Sequence, residues 1–234
     1  MTTGDFNGDG RLDFAAVNGS ANTVSVLLQG TTVELSDTSL SLGLQLVGTA
    51  SPSQAVTLTN TGPITLTISS ITASGDFLQR NNCGSSLPPG ESCTVNVAFA
   101  PTTKGQRTGA LTVTDNAPDS PQTVALTGTG TVVQLSPPNL NFGNQRVGTI
   151  SPPHTVTLTN TGSTQLHIQA ITISGNNLAD FIQTTTCGST VPANSSCAIN
   201  VRFRPTATGE RTASLKVRND GGGAQPVNLT GTGR

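Results

Sequence analysis

The chain has 234 residues and a mass of 23.7 kDa, enough for one or two domains at about 100–200 residues each. Charged residues make up 10% of it and the formal net charge is −1, so it lacks the basic surface that binds nucleic acids or anionic membranes. With 3% aromatic residues and neither Trp nor Tyr, it is not typical of proteins that stack on single-stranded bases. Abundant Thr, Ser, Val and Gly favour strands over helices. No segment approaches the ~20 apolar residues of a membrane span.

The first 30 residues contain a candidate metal loop. Oxygen ligands stand at alternate positions, and the candidates are Asp5, Asn7, Asp9, the backbone carbonyl of Arg11, and Asp13. Ca²⁺ prefers about 6–8 oxygen ligands, and a tight turn at Gly10 brings alternate residues towards one centre. An EF-hand is disfavoured because its twelfth position is Ala16 rather than Glu. The alternative is a solvated turn that holds no metal.

Two strands are predicted after this loop by alternating apolar residues, namely Leu12, Phe14, Ala16 and then Val24, Val26, Leu28. Residues 2–30 resemble one FG-GAP, or integrin-type, β-propeller repeat, which implies a loop that joins two blade strands and holds calcium. A propeller typically needs 4–8 blades. We therefore interpret residues 1–30 as a partial blade of a longer parent protein. Calcium is the expected cofactor of that intact parent. The expectation is limited to the parent because the strands that support the loop can fray in this chain alone.

The rest of the chain contains an internal repeat of about 100 residues. Val47-Gly-Thr49 recurs 100 residues later, the heptapeptide from Val56 to Gly62 recurs at 156–162, and Leu-Thr-Gly-Thr-Gly ends both copies, at 126–130 and 229–233. The offset rises to 104 residues after Gly175, where we place a short insertion at Asn177–Asp180. The sequence therefore predicts two homologous domains, 31–130 and 131–234.

Each copy consists of short segments in which apolar and polar residues alternate, as in half-buried strands. The apolar positions of the first copy are Val56, Leu58, Ile64, Leu66, Ile68, Val95, Val97, Phe99, Leu111, Val113, Val124 and Leu126. Turn-forming residues such as Asn60-Thr-Gly62 and Pro88-Pro-Gly90 separate the segments. About seven strands in 100 residues predict an immunoglobulin-like β-sandwich, with another small antiparallel barrel as the alternative. The predicted fold is all-β, with two tandem sandwiches after a partial β-propeller blade.

Both copies resemble the Ash family of immunoglobulin-like domains, which occurs in abnormal-spindle and hydin proteins and in bacterial surface proteins of the choice-of-anchor D type. The resemblance rests on the repeated motifs above, on Phe142-Gly143, and on Phe-x-Pro at 99–101 and 203–205. The first copy departs from it with Leu42-Gly43. It implies domains that act as non-enzymatic spacers or interaction modules.

Each copy also carries two cysteines ten residues apart, Cys83 with Cys93 and Cys187 with Cys197. We predict two local disulfides, each worth roughly 3 kcal/mol in the chain-entropy model. The rival is one zinc ion, but its cysteine ligands usually lie closer in sequence, and the pairs belong to separate copies. Disulfides indicate an oxidising compartment. We therefore expect a secreted or cell-surface protein whose signal peptide belongs to the parent protein and lies outside this chain.

No catalytic site can be assembled from the sequence. His154 follows two prolines in a predicted turn, and His167 alternates with Leu166 and Ile168, so it is expected to face solvent. The carboxylates are scattered and the serines lack a nucleophile motif. We predict a non-enzymatic structural and adhesive stalk segment of a secreted or cell-surface bacterial protein. The alternatives are an interaction module that binds a partner strand at a sheet edge and an accessory region of a secreted hydrolase.

The outward-facing Thr and Ser residues reflect β propensity, or else they form a polar face for a sugar or a partner protein. The first interpretation is favoured, because sugar-binding proteins usually expose Trp or Tyr. We expect a monomer whose partner is a protein or a surface glycan, with no nucleic acid and no membrane span.

Overall fold

The computed structural model describes residues 1–6, 12–27 and 30–234, and these are almost entirely strands and turns. The strands before and within the first copy are β1 (Thr2–Gly4), β2 (Asp13–Asn18), β3 (Thr23–Leu27), β4 (Val33–Leu35), β5 (Ser39–Leu46), β6 (Gln54–Asn60), β7 (Leu66–Ala73), β8 (Phe77–Asn81), β9 (Ser86–Leu87), β10 (Ser92–Phe99), β11 (Gly105–Asp115) and β12 (Gln122–Thr131). The strands of the second copy are β13 (Val133–Ser136), β14 (Asn139–Gln145), β15 (His154–Asn160), β16 (Leu166–Ser174), β17 (Phe181–Thr185), β18 (Thr190–Val191), β19 (Ser196–Phe203), β20 (Gly209–Asn219) and β21 (Val227–Gly233). One turn of 3-10 helix, Leu178–Asp180, precedes β17.

The N-terminal strands form a three-stranded antiparallel sheet with β2 in the middle. Gly4 pairs with Asp13, so the candidate metal loop connects two adjacent strands. The edge strand β3 is exposed along its whole length, and Val24 is 60% exposed. Whether this sheet is a blade of a propeller remains a prediction from the sequence.

Each copy folds as an immunoglobulin-like pair of sheets, which confirms the predicted fold class. The first copy has a four-stranded sheet in the order β4-β6-β10-β8 and a five-stranded sheet in the order β5-β12-β11-β7-β9. The second repeats this arrangement with β13-β15-β19-β17 and β14-β21-β20-β16-β18. Within residues 30–234, each copy thus has nine strands rather than about seven, partly because a two-residue strand, β9 or β18, lies inside each cysteine loop.

Within the two copies, the inward-facing side chains are the ones that the alternation predicts. Val56, Leu58, Val95, Val97 and Phe99 are each 0% exposed, and their counterparts in the second copy, Val156, Leu158, Ile199, Val201 and Phe203, are equally buried. Full burial of one such side chain contributes about 1.5–3 kcal/mol. Phe77 stacks on Phe99 with their ring centroids 5.0 Å apart, and Phe181 stacks on Phe203 at the same distance.

The pairing of these phenylalanines agrees with the offset of the repeat. Phe77 lies opposite Phe99, and Phe181 lies opposite Phe203, so Phe77 and Phe181 are equivalent at the predicted offset of 104 residues. The expected strand position at Ile64 is wrong, because β7 begins at Leu66.

In the second copy, the neighbouring strands β14 and β21 run parallel to each other, whereas most other strand pairs are antiparallel. Asn139 pairs with Asn228, and Gln145 pairs with Gly233. The register shifts between Asn141 and Asn144, next to Gly143, whose φ of 62° favours glycine. Beyond β14, the Val147 N–H donates to the Arg234 carbonyl at 2.9 Å, which extends the contact between the two ends of this copy.

Contacts within the chain define two compact units. The first comprises Met1–Leu42, Ser51–Phe99 and Thr108–Thr127, and the second comprises Gly43–Ala50, Ala100–Arg107 and Gly128–Arg234. In the part of the chain that the structure describes, no helix has the length and apolar character needed to cross a membrane.

Candidate functional site: the N-terminal loop and the polar clusters

Two of the five predicted calcium ligands, Asp5 and Asp13, lie in the described residues; Asn7, Asp9 and Arg11 lie outside them. The side chain of Asp13 is completely buried, and its Oδ2 accepts a hydrogen bond from the Phe6 N–H at 2.9 Å. This bond and the Gly4–Asp13 pairing hold the two ends of the loop together. Carboxylate, amide and carbonyl oxygens suit calcium, so the residue types and the closed ends of the loop both fit that ion.

A buried asparagine organises the turn after β6 and the equivalent turn after β15. The Asn160 Nδ2 donates to the carbonyls of Thr164, Val191 and Pro192 at 2.8, 3.1 and 3.1 Å, and its Oδ1 accepts the Gly162 N–H at 3.0 Å. Its side chain is 0% exposed.

In the first copy, Asn60 makes the same kind of contacts. It donates to the carbonyls of Ile64 and Leu87 at 2.7 and 2.9 Å, and it accepts the Gly62 N–H at 3.0 Å. Each asparagine therefore bonds its own turn to the cysteine loop, because Leu87 and Val191 lie between the paired cysteines. The sequence indicates a turn at Asn-Thr-Gly, but not this link.

Both predicted disulfides are present, Cys83–Cys93 and Cys187–Cys197, each with a Cα–Cα distance of 5.1 Å. Leu87 pairs with Leu66 and Val191 pairs with Leu166, so the middle of each disulfide-closed loop adds a short strand to the five-stranded sheet. With no free cysteine among the described residues, zinc binding by thiolates is not supported.

The second copy contains a buried ion pair. Asp180 is 1% exposed, and its Oδ2 accepts a hydrogen bond from the Arg211 Nε, while its Oδ1 accepts from the Thr206 Oγ1 at 2.7 Å. Burial by itself would raise the pKa of Asp180. The hydrogen bonds from Thr206 and Arg211 and the charge of Arg211 outweigh it, so the pKa lies below the ordinary value of 3.8.

His167 and Asp220, at the end of the second five-stranded sheet, contact each other. The Asp220 Oδ1 accepts the His167 N–H at 2.9 Å, and its Oδ2 lies 3.0 Å from the His167 Nδ1. In the first copy, the Asn116 Oδ1 accepts the Thr67 N–H at 2.8 Å in the same way. An uncharged amide makes the equivalent bond, so this bond requires an acceptor but not a negative charge.

Two further predictions about ionisable residues can be compared with the structure. The His167 side chain is 61% exposed, as expected. His154 begins β15 instead of lying in a turn, and its ring stacks on Phe142 with the centroids 4.5 Å apart.

Burial raises the pKa of Asp115 against an opposing hydrogen bond from the Ala117 N–H. Apart from residues 7–11 and 28–29, no three His, Cys, Asp or Glu side chains come together as metal ligands.

The solved structures that match this chain come from several kinds of protein. A protein of unknown function from Porphyromonas gingivalis W83 shares 12% identity, with a TM-score of 0.38, over 86% of this chain and 99% of its own. The ASH/PapD-like domain 7 of human CEP192 shares 16% identity, with a TM-score of 0.35, over 44% of this chain and 87% of its own. The VesB protease of Vibrio cholerae shares 21% identity, with a TM-score of 0.34, over 53% of this chain and 43% of its own.

No curated protein matches the chain. The sequence model of the HYDIN/CFA65/VesB-like Ig-like domain matches it twice, at residues 31–131 and 131–234. These two matches cover nearly everything after the N-terminal sheet. The chain therefore belongs to the HYDIN/CFA65/VesB-like family of immunoglobulin-like domains, of which it contains two tandem copies.

Proposed function

We propose that this chain is a non-enzymatic stalk segment of a secreted or cell-surface bacterial protein, with an adhesive role and a calcium-binding loop at its N-terminus. The observation that carries the proposal is the parallel pairing of β14 with β21. Tension applied through the chain on either side of the second copy pulls these strands in opposite directions along their length. All the hydrogen bonds between them are then loaded together, instead of opening one at a time.

Two other features support an extracellular load-bearing role. The disulfides favour an oxidising compartment. Asn160 and Asp180, two of the buried polar residues, make hydrogen bonds within the second sandwich.

Force spectroscopy on the full chain tests the mechanical role. We expect discrete unfolding steps, and we expect Val147→Pro to lower the unfolding force of the second copy, because proline removes the N–H that donates to the Arg234 carbonyl. Val147→Ala keeps this N–H and is the matched control. Reduction should lengthen each step by about 30 Å, since it frees ten residues at up to about 3.6 Å each in place of the 5.1 Å Cα–Cα distance across the disulfide. Continuous extension without steps, or equal forces for both variants and the unmodified chain, would contradict the proposal.

The calcium loop is the N-terminal part of the proposal. Asp5, Asn7, Asp9, Asp13 and the Arg11 carbonyl would hold the ion, which would pin the loop between β1 and β2. The exposed apolar side chains of the N-terminal sheet, such as Val24 and Leu27, support its interpretation as a blade that packs on further blades.

Titration calorimetry on the full chain tests calcium binding. We expect calcium-dependent heat in the millimolar range, and we expect Asp5→Ala to abolish it, because one carboxylate ligand is lost. Asp37→Ala is the control, since Asp37 lies away from the loop and accepts a hydrogen bond from the Ser36 hydroxyl. The absence of heat from the unmodified chain would refute calcium binding by this chain, and an unchanged titration with Asp5→Ala would refute the ligand set.

A further inference from the structure

The outer face of the second five-stranded sheet carries a groove with an uncompensated positive charge. One cavity of about 430 Å³ is lined by Gln169, Lys216, Arg218, Asn219, Ala224 and Pro226, among others. A second cavity of about 460 Å³ shares Lys216 with it and continues along β20 between Ser174 and Thr212. Together they follow β20 from Thr212 to Asn219, a length of about 23 Å at roughly 3.3 Å per residue.

The two cations in this groove are not required by the fold. Lys216 and Arg218 are exposed and flank the buried Val217. At the equivalent positions of the first copy, the strand carries Thr112 and Thr114 around the buried Val113. The two copies have the same sheet order, so the same strand folds with or without these charges.

The surroundings leave both charges available to a ligand. Among the described residues, neither Lys216 nor Arg218 forms an ion pair or a side-chain hydrogen bond. Glu210 and Asp220 are the nearest carboxylates in sequence; neither lines either cavity, and Asp220 is held by His167. The cross-strand partners of the two cations are the small residues Thr172 and Ala170, which keep the groove open.

We propose that this groove binds a linear polysaccharide that carries carboxylate groups. Lys216 and Arg218 would bind carboxylates, while the amides of Gln169 and Asn219 would bond hydroxyls. This recognition relies on charge and hydrogen bonds, so it does not need the exposed Trp or Tyr that the chain lacks. A long open groove suits a polymer rather than a small molecule.

An acidic peptide fits this face less well. β20 lies inside the sheet, where β21 pairs with it at residues 209–215 and β16 pairs with it at residues 214–219. A peptide therefore cannot add as a further strand where both neighbours pair with β20, at Ser214 and Leu215 in the middle of the groove. A polymer rich in hydroxyl groups can use the side chains alone, including Ser174, Thr212 and Ser214. The inference assigns a class of ligand to the proposed adhesive role. It rests on that role alone, and not on the mechanical role or on calcium binding.

Binding of alginate, a linear polymer of carboxylate-bearing sugars, to the full chain tests the inference. We expect binding that weakens as salt is added, and we expect the double variant Lys216→Thr/Arg218→Thr to bind at least about tenfold more weakly. The variant introduces the residues that the first copy carries at these positions, so the strand should keep its fold, and circular dichroism verifies this. The control Arg146→Thr/Arg204→Thr removes the same charge from exposed positions elsewhere and should change affinity less than about twofold.

Neutral dextran and polyglutamate complete the experiment. Dextran should not bind, and polyglutamate should bind more weakly than alginate. No binding of alginate, equal losses in the two double variants, or equal binding of polyglutamate would overturn the inference. None of these outcomes affects the unfolding forces, so the mechanical proposal and this one can fail separately.

Discussion

Replacing Asp180 with alanine is expected to destabilise the second copy by about 3–5 kcal/mol at neutral pH, because it leaves the charge of Arg211 without its partner. Asp180 is almost completely buried, and the Arg211 side chain is only 19% exposed, so water replaces the lost carboxylate poorly. The hydrogen bond from the Thr206 hydroxyl is lost as well. Pulsed hydrogen–deuterium exchange across a urea titration measures the effect, because peptides from β19 and β10 report separately on the two copies.

The pH dependence gives the same prediction a second test. The pKa of Asp180 is lowered on folding, so its ionised form stabilises the fold above the unfolded pKa of about 3.9. That contribution is lost as the pH falls through the folded pKa. The difference in the free energy of unfolding between the unmodified chain and Asp180→Ala should therefore be smaller in strongly acidic solution.

The exposed contact between His167 and Asp220 provides a control for this substitution. Asp220→Asn keeps the hydrogen-bond acceptor that the His167 N–H requires and removes only an exposed charge. It should change stability by about 0–1 kcal/mol. Similar losses of stability for Asp180→Ala and Asp220→Asn would contradict the prediction that the buried ion pair stabilises the second copy.

Asn160→Asp should destabilise the second copy by at least about 3 kcal/mol at neutral pH, although the two side chains have the same shape. The Asn160 Nδ2 faces three carbonyl oxygens within 3.1 Å. An aspartate would place a second acceptor there, and a buried acceptor without a donor costs about 1–3 kcal/mol, or more when charged. The same exchange measurement, read on β19, determines the loss.

The first copy offers a matched variant, since Asn60→Asp should cause the same kind of loss in β10 and leave β19 unchanged. Asn139→Asp, at an exposed position, should have little effect. The loss of stability caused by Asn160→Asp should be smaller in acid, because a protonated carboxyl group can donate one hydrogen bond. A chain with Asn160→Asp that is as stable as the unmodified one would contradict the role of this asparagine.

Periodicity and repetition were sufficient to predict the fold class. Alternating apolar residues predict strands because an inward side chain must be followed by an outward one, and the burial of Val95, Val97 and Phe99 agrees with this. The local pairing of cysteines follows from their occurrence as two in each copy. The short strands β9 and β18 were missed because two residues are too few to show a period.

The polar clusters could not be predicted in the same way. Asp180 looks like any other scattered carboxylate, because its burial depends on contacts with Thr206 and Arg211 more than 25 residues away. The repeat contains one signal, since the Asp-Phe pair at 76–77 recurs at 180–181. Asn60 and Asn160 fit an ordinary turn equally well, and the sequence alone does not show that they bond the cysteine loop.

The disulfide-closed loops also change what a proteolytic cut can do to this protein. Each loop is a covalent ring whose middle strand, β9 or β18, is bonded to the other sheet of its sandwich. A protease that cuts once between Cys187 and Cys197 leaves the two fragments joined through the sulfur atoms. The nicked chain therefore keeps its connection end to end until the disulfide is reduced.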